Sequence, residues 1–345
     1  MAKTTSKNSN GSKPTALVAT NAALFDSFFD AARTETLSKL TRWERRPDRK
    51  ITASYRKALS TTEVLITTWD SPAHFPEELV EWAPSLRLIA HCGGEVKKRF
   101  ARPLFDRLTI TNAPPMPSHV AELAVTFLLY MVRDVDRYRN LLRSPSNKIY
   151  DELHASGGGE QTIIGREIGM LGFGRIGRCV ADFLAPFGVR MIVHDPYVKP
   201  ETVPAFVRLA PLDEVLASSQ YLILAAGLTA ETTNLLDAKR LRMLPKGAAV
   251  INVARGGMVD LDALTKMVLS GRLRCALDVT DPHEPLPVRH PLRRAVGAIL
   301  TPHVGAISRS VRSAMSATIL ADIERFLSGR PVENRVTTDM LDRMT

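Results

Sequence analysis

Between residues 168 and 301, six short aliphatic runs recur: Ile168 to Leu171, Arg190 to His194, Tyr221 to Ala225, Ala248 to Asn252, Arg274 to Leu277 and Ala298 to Thr301. Helical stretches fit between most of them, including Ile176 to Phe187, Leu212 to Ser218 and Leu261 to Leu269, the last followed by the helix stop Gly271. Continuous apolar runs that alternate with crossover helices belong to a parallel sheet covered on both faces. The pattern therefore predicts a doubly wound α/β domain.

A second, shorter series precedes it. Candidate strands are Ala16 to Ala19, Val64 to Thr67, Leu86 to Ala90 and Leu108 to Ile110. The segment Thr111 to Ser118 has three prolines in four positions, which stiffen the connection, and Ser118 is placed to cap a helix. Apolar residues at helical spacing predict that helix from about Ser118 to Leu142, with enough apolar surface to bury two faces and serve a subunit contact. The stretch Ser308 to Leu327 reads as one more amphipathic helix, returning to the first domain. Expected boundaries are a flexible polar tail at 1–13, a smaller domain at 14–115 completed by 308–345, and the doubly wound domain at 116–307.

The sharpest chemical signal is Gly172-Phe173-Gly174-Arg175-Ile176-Gly177, which follows a strand and opens a helix. Gly172 permits the tight turn, Gly174 lets backbone N–H groups reach a pyrophosphate, and Gly177 lets helix and strand approach. The helix N-terminus adds partial positive charge for phosphates. Asp195 stands 18 residues after Gly177 at the end of the next strand, where a carboxylate accepts from a ribose diol and repels a 2′-phosphate. Pro196 and Tyr197 follow, with no arginine until Arg208, so the reading is NAD over NADP. A plain turn residue is the bland alternative for Asp195.

Three later strand ends carry reactive side chains. Asn252 to Gly257 sets Arg255 just past a strand, where its fork can hold a carboxylate. Ala276 to Val279 brings Asp278, followed by Asp281-Pro282-His283-Glu284-Pro285; Thr301 to Gly305 brings His303 between a proline and a valine–glycine pair. Singly, an arginine there is more often a surface residue, and a histidine is as often structural as catalytic.

Together, from about Leu171 to Ser308, these motifs closely resemble the D-isomer-specific 2-hydroxyacid dehydrogenases, five motifs matching in order. The resemblance implies a Rossmann-type parallel-sheet domain plus a smaller flavodoxin-like α/β substrate domain made of both chain ends. It also implies an NAD-linked reaction interconverting a small 2-oxo acid and its D-2-hydroxy acid, and a homodimer. By the same match Arg255 anchors the substrate, His303 donates the proton and Glu284 is its acidic partner. Val253, Ala254, Asp278 and Gly305 join Gly172, Gly174, Arg175, Ile176, Gly177 and Asp195 around the cofactor. His91-Cys92-Gly93-Gly94-Glu95-Val96 resembles the loop whose amides hold the substrate carboxylate, with Gly93, Gly94, Glu95 and Val96 as its residues. The chemistry agrees: hydride reduction of a ketone builds charge on oxygen, a positioned proton donor quenches it, and an arginine stabilises it.

The chain departs from the family in three places. His283 is an apparent insertion, leaving His283 and Asp281 as alternatives to Glu284. Ala225 and Gly227 replace a His and a Pro, which weakens cofactor contacts from Ala226 and Thr229. Lys97-Lys98-Arg99 replaces Asp-Asn; these cations either face solvent or favour a substrate with a second acidic group such as a phosphate.

Composition excludes several other classes. The 45% hydrophobic content with 20 Gly and 22 Pro excludes a disordered or collagenous chain, and Cys92, Cys179 and Cys275 are too scattered for a zinc knuckle or disulfide framework. The apolar run Leu123 to Val132 is too short to span a bilayer. The expectation is a cytoplasmic protein without a metal or membrane partner. The net charge of +10 is scattered, and its densest run, Arg42 to Lys50, reads as a solvated face without stacking aromatics, so no nucleic-acid partner is expected. Two rivals stay open: a dinucleotide-sensing, corepressor-like interaction protein on the same scaffold, and a formate dehydrogenase, against which Glu284 argues.

Overall fold

The computed structural model describes residues 13–114, 117–143, 148–157 and 161–343. The chain divides into two compact units, one of Met1–Pro115 with Ser308–Thr345 and one of Met116–Ile307. Twelve strands among the described residues form two wholly parallel sheets.

In the first unit β1 (Thr15–Ala19), β2 (Arg42–Arg46), β3 (Val64–Thr67), β4 (Leu88–His91) and β5 (Thr109–Asn112) lie in the order β2-β1-β3-β4-β5, the flavodoxin-like arrangement. Strands β3 and β4 are buried along their whole length, which is why they read as unbroken apolar runs. The helix Arg309–Leu327 packs on β4 and on the helix Ala22–Phe28, and Ser316 Oγ donates to Phe28 O at 2.6 Å. Buried Asp322 turns the chain back by accepting from Glu333 N at 2.8 Å and Asn334 Nδ2 at 3.0 Å. The returning segment covers the β5 edge, with Val336 N bonded to Ile110 O at 2.8 Å.

In the second unit β6 (Glu167–Leu171), β7 (Arg190–His194), β8 (Val207–Leu209), β9 (Tyr221–Leu224), β10 (Ala249–Asn252), β11 (Arg274–Leu277) and β12 (Ala298–Leu300) run in the order β12-β11-β10-β9-β6-β7-β8. This is the dinucleotide-fold order with one extra strand, and its direction of winding reverses between β6 and β9. Apolar clusters cover the sheet; one contains the helix residues Val120, Ala124, Phe127, Leu128 and Met131.

The structure corrects three expectations. Arg42 to Arg46, read as a solvated face, is the edge strand β2: its side chains are mostly exposed, but its backbone pairs with β1 from Thr15↔Arg42 to Ala19↔Arg46. An edge ladder needs no apolar side chains, and charge protects it from pairing with other chains. The helix expected over Ser118 to Leu142 is broken. Pro117–Val132 and Val135–Leu141 meet at Asp134, whose φ of 49° is left-handed, while Arg274 Nη1 takes the carbonyl of Met131 at 3.1 Å. Strand β8, three residues with a central arginine, gave no readable periodicity. Most of the 1–13 tail, Pro115, Met116 and the glycines Gly158 and Gly159 lie outside the described residues. Among the described residues no helix is long and apolar enough to cross a membrane.

His91 at the end of β4 is 2% exposed, with Nδ1 2.9 Å from Thr67 Oγ1. Burial, and secondarily the Arg99 charge, push its imidazole down to about 3 from 6.5. Between those values the unfolded chain binds a proton that the folded chain refuses, so this contribution is complete above about pH 6.5 and drains as pH falls towards 3. Urea midpoints of wild type and His91→Asn from pH 7 to 4 test this. Wild type is expected to lose up to about 1.4 kcal/mol per pH unit more than the variant.

Candidate active site

The carboxyl end of β6 delivers the chain into Gly172, whose φ is +91° and where a Cβ would stand 2.5 Å from Ala226 N in the neighbouring β9 loop. Any other residue there would be strained and would collide with backbone. Gly174 then caps the helix Arg175–Leu184 in extended conformation, with open space where its side chain would be. Asp195, after β7, accepts from Phe173 N at 2.7 Å through one carboxylate oxygen and from Tyr197 N at 3.0 Å through the other. The bland and functional readings of Asp195 therefore coexist: it shapes the turn, and each oxygen keeps a lone pair for a ribose hydroxyl. Arg175 is exposed, Ile176 is half-buried and Gly177 is buried against the turn. An open helix N-terminus behind a glycine turn, flanked by a carboxylate, fits a dinucleotide. Sequence reasoning missed a bridge at this edge, where Tyr197 Oη donates to Glu231 Oε2 at 2.8 Å across loops distant in the chain.

At the end of β10, Asn252 accepts from Ala254 N at 3.0 Å and donates to Arg255 O at 2.9 Å, so one buried amide bends the loop that presents Arg255. Val253 and Ala254 are buried, and Arg255 is half-exposed with Nη1 on the Ala254 carbonyl at 2.7 Å. Gly256 lets this loop touch the next, since a Cβ would sit 2.2 Å from Thr280 C.

Asp278, ending β11, is 2% exposed and holds the histidine loop. Its carboxylate accepts from Thr301 Oγ1, from Val304 N at 2.7 Å and from Gly305 N at 2.9 Å, while its carbonyl accepts from His303 N at 2.9 Å. The resemblance assigns Asp278 to the cofactor; three of its four acceptor positions are used within the protein. His303 itself has a φ of 56°, an uncommon left-handed conformation for a non-glycine residue.

His303 Nδ1 pairs with Glu284 Oε1. Glu284 Oε2 in turn faces Thr280 N at 3.4 Å, and Thr280 Oγ1 donates to His283 O at 2.6 Å. Of Asp281, His283 and Glu284, all exposed, Glu284 is the one the structure brings to His303. Thr229, one of the uncertain cofactor contacts, is bound to Thr232 within its own turn. With its Nδ1 held, the imidazole has Nε2 for proton exchange.

In the first unit the amide of Gly93 is taken by His91 O at 2.9 Å, whereas the amides of Gly94, Glu95 and Val96 have no acceptor among the described residues. Successive unpaired N–H groups make an anion-binding concavity. Glu95 is turned back on its own loop, accepting from Lys98 N at 2.8 Å. The run 97–99 is split: Lys97 and Lys98 are exposed, but Arg99 is buried and donates to Ser71 O and Pro72 O at 3.3 and 2.8 Å.

The chain matches the family model described as "D-isomer specific 2-hydroxyacid dehydrogenase, NAD binding domain" over residues 125–305. It is 31% identical over 309 residues to a D-3-phosphoglycerate dehydrogenase of Mycobacterium leprae, covering 86% of this chain and 55% of that protein. It is 30% identical over 245 residues to the human glyoxylate reductase/hydroxypyruvate reductase, covering 70% and 72%. The chain spans about half the length of the phosphoglycerate dehydrogenases it matches first. A solved protein of Thermus thermophilus superposes with a TM-score of 0.76 at 28% identity, covering 94% of this chain and all of that one.

Two substitutions test the geometry. Asp278→Ala strands buried donors and is expected to lower unfolding free energy by about 3 kcal/mol in urea titrations. Asp195→Ala is expected to reduce the preference for NADH over NADPH by about tenfold, the worth of about 1.4 kcal/mol, in fluorescence titrations without substrate.

Proposed function

The chain belongs to the D-isomer specific 2-hydroxyacid dehydrogenase family, and from that premise we propose that it interconverts a small 2-oxo acid and its D-2-hydroxy acid. Its family-matched unit is an NAD-binding domain, in which the turn Gly172 to Gly177 would hold the dinucleotide's phosphates and Asp195 its ribose. When bound, the nicotinamide supplies or takes up the hydride. Everything else is done by the chain's own side chains and backbone amides.

Arg255 receives the substrate's carboxylate and carbonyl oxygen through its fork and counters the charge that grows on that oxygen. His303 gives its Nε2 proton to the oxygen during reduction and removes it from the hydroxyl in the reverse direction. Glu284 holds Nδ1, so the ring keeps one orientation and presents Nε2. The buried Asp278 keeps the histidine loop in register. The amides of Gly94, Glu95 and Val96 are proposed to hold a carboxylate, Gly93 supplying the turn instead of a donor. The observation that carries this reading is the His303–Glu284 pair, because it singles out one carboxylate from the crowded 281–284 segment. Homodimer formation and a cytoplasmic location accompany the proposal as family expectations.

NADH oxidation followed at 340 nm against a panel of 2-oxo acids tests it. Turnover is expected with NADH, falling by about 10²–10⁴ in kcat for His303→Ala. Arg255→Gln is expected to act on kcat/KM more than on NADH affinity. Tight NADH binding with no turnover of any acid would favour the dinucleotide-sensing alternative.

A further inference from the structure

The first unit carries an exposed tryptophan in the place where such sheets bind ligands. Its strand order reverses between β1 and β3, and open α/β sheets bind at the carboxyl ends of the strands flanking that reversal. The segment there is Thr68-Trp69-Asp70-Ser71. Thr68, Asp70 and Ser71 are buried, at 0, 6 and 4% exposure, whereas Trp69 is 47% exposed.

The hydrogen bonds of its buried neighbours hold the backbone on both sides of Trp69. Thr68 N donates to Ser71 Oγ at 2.8 Å, and Ser71 Oγ donates onward to Ala19 O. Thr68 Oγ1 bonds Thr20 Oγ1 at 3.1 Å, Asn21 donates to Asp70, and Asp70 pairs with Arg49. From the other side Arg99 clamps the carbonyls of Ser71 and Pro72. The indole rests on Phe28, centroid to centroid 5.1 Å, and on the Arg312 guanidinium at 5.2 Å. Arg312 is committed there, donating to Ser27 Oγ at 2.8 Å and lying 5.8 Å from the Phe28 ring. Arg49, Arg99 and Arg312 are engaged within the fold, whereas Lys97 and Lys98, which follow the Gly94 to Val96 amides, are exposed.

An aromatic side chain that is already ordered loses little conformational freedom when it contacts a ligand. Beside it, β4 pairs with β3 through Thr67↔His91, and Cys92 N donates to Thr67 O at 2.7 Å. Adjacent strands lie about 4.8 Å apart, so the amides of Gly94 to Val96 follow the strand next to β3, which ends two residues before Trp69. We propose that Trp69 is the specificity-determining residue for the substrate's substituent, selecting 2-oxo acids with an apolar or aromatic side chain over those bearing a phosphate. This assignment rests on the reaction class proposed above.

The test compares kcat/KM with NADH for glyoxylate, hydroxypyruvate, its 3-phosphate, 4-methyl-2-oxopentanoate and phenylpyruvate, in wild type, Trp69→Ala and Trp69→Phe. Wild type is expected to favour the last two acids. The phenylpyruvate-to-glyoxylate ratio should fall at least tenfold in Trp69→Ala and less than threefold in Trp69→Phe. A ratio unmoved by Trp69→Ala, or a wild-type preference for the phosphorylated acid, overturns the proposal. A binding measurement separates it from the reaction class: titrating 3-phenyllactate into the NADH-loaded protein should change tryptophan emission in wild type and not in Trp69→Phe. Failure of every acid to turn over defeats the reaction class, and the titration then decides Trp69 alone. An emission change that persists in Trp69→Phe, or none in wild type, overturns the assignment.

Discussion

A carboxylate removed from water costs several kcal/mol unless donors occupy its oxygens. Asp278, 2% exposed, meets that condition by collecting Thr301 Oγ1 and the amides of Val304 and Gly305, all from the loop that carries His303. The arrangement converts an electrostatic requirement into geometry, because the loop cannot relax without stranding the charge. It also makes intelligible a histidine at φ 56°, a conformation sustained only where surrounding bonds over-determine it. Glu284 then needs only to reach a ring that is already placed.

The same logic of a few polar anchors recurs in both units. Asn252 bends the Arg255 loop, Asp195 ties the glycine turn to β7, and Asp322 redirects the chain after the helix Arg309–Leu327. In each case a short polar side chain, at a strand end or within the last two turns of a helix, satisfies a backbone group that regular structure leaves unpaired. Parallel sheets gather these ends along one edge, so loops distant in sequence become neighbours. The Tyr197–Glu231 bridge and the multiply held Trp69 segment are further products of that convergence.

Buried parallel strands were legible because both faces demand apolar side chains, as β3, β4, β9 and β10 show by their complete burial. The glycine turn was legible because only glycine tolerates the φ of Gly172 and its contact with Ala226. Strand β2 was hidden because an edge is held by backbone bonds that its arginines do not advertise. The break at Asp134 was hidden because the preceding residues keep helical periodicity, and the competing bond comes from Arg274, far along the chain. Arg99 looked like the third member of a solvated basic run, yet its neighbours' carbonyls draw it inward.

By itself the sequence determined the two parallel-sheet series, the dinucleotide turn and the residue types able to handle a carboxylate and a proton, because those depend on periodicity, backbone freedom and side-chain chemistry. Tertiary structure alone decided that Glu284, and neither Asp281 nor His283, meets His303, and that Asp278 spends its oxygens on the loop. It alone decided that Arg99 turns inward while Trp69 stays out. The physical reason is common to all of these. They depend on which strand ends lie side by side, a consequence of sheet order and register that no local window of residues contains.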